Sequence, residues 1–146
     1  MRYPNVPDQA LRTAVSAAAR YFLFVFGAGF ILGMVRVPLL VPHLGARVAE
    51  LIEMPFMLAV IYFAARHIVR GDASRLRSGH WIAAGTIALL LLLAAELGLV
   101  LILQGRSIAD YIASRDPVSG GVYLASLLLY AAMPWIQFRR QAGRAH

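Results

Sequence analysis

Apolar residues in this chain fall into four long runs separated by short polar breaks. A hydrocarbon core of about 30 Å takes roughly 20 mostly apolar residues of helix. Residues 17–41, 46–68, 81–103 and 121–138 each have that length and character. The third run is the cleanest, interrupted only by Thr86 and Glu96. Backbone N–H and C=O groups in lipid have no water to bond, so the runs predict helices. The breaks leave no room for a soluble domain. The expected fold is therefore a single all-α domain over residues 1–146, a four-transmembrane-helix bundle.

Two flanking stretches carry further elements. Ala10, Leu11, Ala14, Val15 and Ala18 keep helical spacing behind Asp8. Residues 7–20 thus predict a helix that leads into the membrane and lies in its interface. The first run has Arg2, Arg12 and Arg20 ahead of it, as a signal peptide would. No small-x-small cleavage site follows, and Arg36-Val37-Pro38 suits none, so a retained span is expected. In the connection 104–120, Ser107 and Asp110 have capping-box spacing and predict a short interfacial helix. Asp116-Pro117 is expected to end it, and Tyr111 to sit at headgroup level.

Composition agrees with this picture. Hydrophobic residues make up 60% of the chain and charged residues 14%, and the mean hydropathy is +0.69. Soluble domains are about 45–50% apolar and about 25% charged. The chain has no cysteine, which excludes disulfide scaffolds, zinc fingers, iron–sulfur clusters and thiol catalysis. No Gly-rich phosphate loop and no Ser-His-Asp order is present, so no cofactor is expected.

The formal net charge is +7, and all fourteen basic residues are arginine. They lie between the apolar runs rather than on one polar face, which argues against nucleic-acid binding. Arg2, Arg12, Arg20, Arg66, Arg70, Arg75, Arg77, Arg139, Arg140 and Arg144 flank one side of the spans, while Arg36, Arg47, Arg106 and Arg115 flank the other. Ten against four places both termini in the cytoplasm by the positive-inside rule. The all-arginine, Ala- and Leu-rich composition is that of a GC-rich bacterial genome.

Four charges lie inside the runs. All three glutamates, Glu50, Glu53 and Glu96, do so, and Arg36 is the fourth. A charge at the centre of a membrane helix costs on the order of 3 kcal/mol on insertion scales. With the inferred topology, Glu50 and Glu53 lie about 6–10 Å inside the outer surface and Glu96 about 12 Å inside it. Arg36 lies near the same depth. Glu50 and Glu53 share a helical face, and His43 and Arg47 extend the stripe outward. Three readings follow. Arg36 clamps the glutamates in a structural network; or the cluster is a binding or proton-handling site; or His43 and the glutamates hold a metal. The last lacks the Glu-x-x-His pairing of di-metal bundles, and no metal is expected.

Pro55 frees the Leu51 carbonyl beside this pair and predicts a kink, as Pro134 does in the fourth run. Gly29-x-x-x-Gly33 and Ala94-x-x-x-Gly98 are spaced for close helix approach, within the chain or in a homo-oligomer. Met54 and Met57 read as packing, and His67 and His80 as solvated residues of the second loop. Trp81, Trp135, Tyr21 and Tyr123 suit interfacial belts.

The run Gly29-Phe-Ile-Leu-Gly33-Met-Val-Arg36-Val, with Pro42-His-Leu-Gly45 and Ala49-Glu50-Leu-Ile-Glu53-Met-Pro55, resembles a group of small four-helix bacterial inner-membrane proteins of uncharacterised role. The resemblance covers about the first half of the chain. It implies the class and a bacterial inner membrane, and no chemistry. The function expected first is a non-catalytic accessory, binding or scaffold subunit, with the bilayer and a homo-oligomer or larger membrane complex as partners. The alternatives are a proton-coupled small transporter and a membrane enzyme using glutamate acid–base chemistry on a lipid-like substrate. A dry, fully paired cluster favours the first; a water-accessible cavity at Glu50, Glu53 and Glu96 favours the others.

Overall fold

The computed structural model describes residues 6–144. Arg2, one of the topology-setting arginines, lies outside them. Within them the chain is helical, with no strand. Helix α1 runs Val6–Val35, α2 Val41–Asp72, α3 Ser78–Leu103, α4 Ile108–Ala113 and α5 Pro117–Ala142. Three stretches are long and apolar enough to cross a membrane: Pro7–Asp72, Ser78–Leu103 and Pro117–Ala142.

The first stretch is 66 residues long and reverses direction at one point. Pro38 and Pro42, four residues apart, each lack the N–H that an α-helix needs. The chain widens there into a π-turn over Arg36–Leu40, and Val41 N–H reaches back to the Arg36 carbonyl. Gly45 then adopts φ 77°, ψ 161°, a region essentially reserved for glycine. Beyond it α2 runs back along α1. Gly29 faces Met57, Phe24 faces His67 and Arg20 pairs with Asp72, a register that only an antiparallel pair produces. The sole non-helical backbone in α2 is at Gly45. The residues around Pro55 keep helical φ/ψ, and the backbone break lies ten residues earlier.

Helix α1 includes the helix expected over residues 7–20 and runs on from it without a break. Ala14, Ala17, Ala18, Tyr21 and Val25 are buried along one face, while Leu11 and Val15 point outward. The fourth apolar run also starts earlier than expected. Asp116 accepts from the Val118 and Ser119 amides and Pro117 sits at the first turn. The Asp116-Pro117 pair therefore begins α5 rather than ending α4. The Ser107 cap of α4 does form, since its Oγ accepts from Asp110 N–H at 3.1 Å.

Helix α1 packs on α2 and α3, and α5 packs on the same two. The tightest contact made at a glycine is between α3 and α5. A Cβ on Gly85 would lie 1.9 Å from the Ala131 carbonyl oxygen, so only glycine admits this contact. Gly33 and Gly98, by contrast, have open space beside them. The small-residue patterns at Gly29–Gly33 and Ala94–Gly98 do not mark the tight crossing.

Packing is uneven along the long axis. The core fills the half that holds Ala14–Val25, Ile61–Leu76, Trp81–Leu92 and Leu127–Met133. Tyr21 and Tyr130 stack there with ring centroids 4.6 Å apart. The Tyr21 hydroxyl donates to the Tyr130 carbonyl at 2.9 Å. That carbonyl would normally accept from residue 134, which is proline and has no N–H. Tyr21 thus satisfies the group that Pro134 orphans. Asp72, nearly buried, is held at this end by Arg20 at 2.5 Å. Large apolar side chains such as Leu23, Phe24, Leu90, Leu103 and Leu128 cover the outside.

Candidate functional site

The other half of the molecule is hollow. A cavity of about 600 Å³ opens between the ends of α1, α2, α3 and α5, with α4 at its mouth. Its floor is the top of the packed core, formed by Val25, Ile61, Leu92, Leu127 and Tyr130. Above the floor, Arg36, Glu50, Glu53 and Glu96 line the cavity.

On one wall, the π-turn aims Arg36 at α2. Glu50 and Glu53, one turn apart, meet it: Arg36 Nη1 lies 3.2 Å from Glu50 Oε1 and Nε lies 2.7 Å from Glu53 Oε2. The second contact is ionic, for the Nε–H is not directed at the oxygen. All three side chains are at least partly shielded, with 23%, 29% and 12% of their surface exposed. One guanidinium serves two carboxyl groups on this wall.

On the opposite wall, Glu96 of α3 stands apart from Arg36. It accepts a hydrogen bond from the Tyr123 hydroxyl of α5. Arg115, between α4 and α5, lies over the Tyr123 ring at 4.2 Å and over the Tyr111 ring at 5.2 Å. Its Nη2 donates to the Tyr111 hydroxyl at 2.6 Å. This guanidinium has no carboxylate within ion-pair distance among the described residues; two aromatic faces hold it. The hydroxyl of Ser119 also belongs to this side. Ser119 lines the cavity, is only 3% exposed, and its Oγ has no hydrogen-bond partner.

At the mouth, Arg47 Nε donates to Asp116 Oδ1 at 2.8 Å, joining the start of α2 to the start of α5. That bond and the Ser119 and Val118 amides hold the Asp116 carboxyl down at about 2. Arg106 stands at the rim, exposed.

The sequence candidates therefore separate. Arg36, Glu50 and Glu53 come together as expected. Glu96 lines the same cavity but belongs to a second cluster. Arg47 and Tyr111 line it too, in roles of rim clasp and aromatic seat. His43 is exposed and outside the cavity, because the break at Gly45 turns it away from the Glu50–Glu53 face; it leaves the candidate set. Among the described residues no three His, Asp or Glu side chains group as metal ligands. Met54 and Met57 line the apolar wall. Arg115, Asp116, Ser119 and Tyr123 were not expected as site residues. Their one sequence signal is Arg115 four residues after Tyr111, a spacing that brings two helical side chains together.

No protein-family model, curated protein or solved structure matches the chain.

Proposed function

We propose that the chain is a four-span bacterial inner-membrane protein whose outer-half cavity binds a small ligand. In this reading α1, α2, α3 and α5 are the spans, the arginine bias puts both termini in the cytoplasm, and α4 lies in the outer interface. The antiparallel fold-back of α1 and α2 at Gly45 supports counting the 66-residue stretch as two crossings. Each of these helices, at 26–32 residues, reaches about 39–48 Å, enough for one hydrocarbon core with some tilt.

The observation that carries the reading is the cavity itself. At about 600 Å³ it lies within the size range of small-molecule sites. Ionisable groups inside a membrane protein face such spaces when they serve a ligand or proton pathway. A purely structural Arg–Glu network needs no cavity, and a scaffold would bury Glu96 and Arg115 in contact with each other. The Arg36 clamp and the cavity coexist: the clamp fixes one wall, and the rest remains open. Binding fits better than transport, since the half below the floor is packed shut around Tyr21, Tyr130 and Trp81.

The test is a small-molecule thermal-shift screen on protein in lipid nanodiscs. A ligand that binds only the folded state raises its melting temperature by mass action. Gly33 lines the cavity and a Cβ added there meets nothing within 4 Å, so Gly33→Leu is the substitution chosen to fill the space. Hits that stabilise wild type and fail on Gly33→Leu are expected. A screen in which no compound distinguishes the two proteins contradicts the reading.

A further inference from the structure

Granting that the cavity is a ligand site, we infer that its ligand is an organic cation, seated between the Tyr111 and Tyr123 rings with Glu96 as counter-charge, where Arg115 now sits.

Four observations lead there. Among the described residues, Glu96 is the one cavity carboxylate with no arginine within ion-pair distance. Arg36 is shared by Glu50 and Glu53, and Arg47 is paired with Asp116 at the mouth. When ionised, Glu96 lacks a direct counter-charge in a partly desolvated space, where that is expensive. A bound cation supplies it.

The second observation is how Arg115 is held. Its guanidinium lies over two tyrosine rings at 4.2 and 5.2 Å, with a carboxylate on the far end of one of those tyrosines. Aromatic faces beside a carboxylate are the arrangement that receives alkylammonium and guanidinium groups. The chain already displays the preference of the site by placing one of its own cations there. Arg115 is a tethered occupant on a short connection, and a ligand that competes for the rings displaces it toward the mouth.

Third, the rest of the cavity specifies an organic ion rather than a bare one. Glu50 and Glu53 are engaged by Arg36, and no group of three potential metal ligands exists among the described residues. Phe26, Phe30, Met54 and Leu99 face the charged groups across the cavity and offer apolar surface for a hydrocarbon body. Fourth, the buried Ser119 hydroxyl has no partner within the protein. An unmet buried hydroxyl is unfavourable, and a polar atom of a ligand at this wall satisfies it.

Three probes of similar size separate the alternatives: benzyltrimethylammonium, its uncharged isostere neopentylbenzene, and benzenesulfonate. Binding is measured by equilibrium dialysis on protein in nanodiscs of neutral lipid, with protein-free nanodiscs subtracted. The ammonium is expected to bind saturably. Glu96→Gln still accepts from Tyr123, so it preserves that bond while weakening ammonium binding about tenfold or more. Arg115→Ala vacates the rings and is expected to tighten it about tenfold; a purely structural arginine gives the opposite sign. Binding of benzenesulfonate in preference to the ammonium, equal binding of all three, or weakening by Arg115→Ala overturns the inference. If that binding is lost in Gly33→Leu, the cavity still stands as a ligand site. If none of the probes binds wild type, the inference also falls, and the screen against Gly33→Leu decides separately whether the cavity reading falls with it.

Discussion

Replacing Arg36 with alanine isolates the wall on which the cavity is built. The guanidinium lies 2.7 Å from Glu53 and 3.2 Å from Glu50. At an effective dielectric of about 20 each contact is worth about 5–6 kcal/mol of gross Coulomb attraction. Desolvation of the three groups and repulsion between the carboxylates offset most of it. What the substitution exposes is that offset: two carboxylates one helical turn apart with no counter-charge. Removing one partner of a buried pair typically costs about 3–5 kcal/mol. The side chains here keep 12–29% of their surface exposed, so the lower end applies, about 3 kcal/mol. For a chain of this size that lowers the melting temperature by roughly 10 °C. Tryptophan fluorescence in detergent reads it, because Trp81 is fully buried in the core. A second variant removes the ambiguity of a merely damaged helix. In Arg36→Ala/Glu53→Gln one carboxylate is neutral, so the double variant is expected to be more stable than Arg36→Ala alone. Arg36→Lys retains the charge without the fork and is expected to fall between. An unchanged melting temperature in Arg36→Ala, or additive destabilisation in the double variant, refutes the clamp.

Three further outcomes follow from the packing and the mouth. Gly85→Ala drives a methyl into the Ala131 carbonyl of the neighbouring helix; overpacking of this kind costs about 1–3 kcal/mol, measured by the same unfolding curve, while Gly98→Ala, with open space, is expected to be neutral. Tyr21→Phe leaves the Tyr130 carbonyl unpaired, since Pro134 cannot donate to it, and is expected to destabilise by about 1–3 kcal/mol; a neutral result shows that the carbonyl finds another donor. Asp116 titrates at about 2 against an ordinary 3.8, so its contribution is complete above about pH 4 and is lost as pH falls toward 2. The wild type is expected to lose stability in that window relative to Asp116→Asn, which caps but carries no charge; parallel curves would show that the clasp contributes nothing.

The segment-level outline of this molecule is legible in its sequence because apolar runs near 20 residues have few other destinations. The second and third runs sit inside α2 and α3. The ends were less legible. The helix over residues 7–20 was legible in the spacing of Ala14 and Ala18, but not that this face joins the packed core. The chain reversal was not marked by Pro55: it comes at Gly45, and the carbonyl that Pro134 leaves without a donor is met by a tyrosine 113 residues away in sequence. At the site, Arg36, Glu50 and Glu53 could be found because charges are rare in apolar runs. Arg115, Asp116, Ser119 and Tyr123 could not, because each is ordinary in a loop or at a helix start. Only the packing of α3 against α5 brings Tyr123 to Glu96 and makes Arg115 part of an interior.

The central claim is that the outer half is a water-filled, cation-attracting cavity, and cysteine labelling tests it most directly. The chain has no cysteine of its own, so single substitutions need no altered background. Gly33→Cys and Ser126→Cys place a thiol on the cavity wall, and Ala84→Cys places one in the packed core. Reaction rates are compared in nanodiscs for a cationic and an anionic methanethiosulfonate of similar size. The expected result is rapid modification at positions 33 and 126, faster with the cationic reagent, and none at position 84. Protection of positions 33 and 126 to the level of position 84 would contradict the cavity, and a faster anionic reagent would contradict its sign.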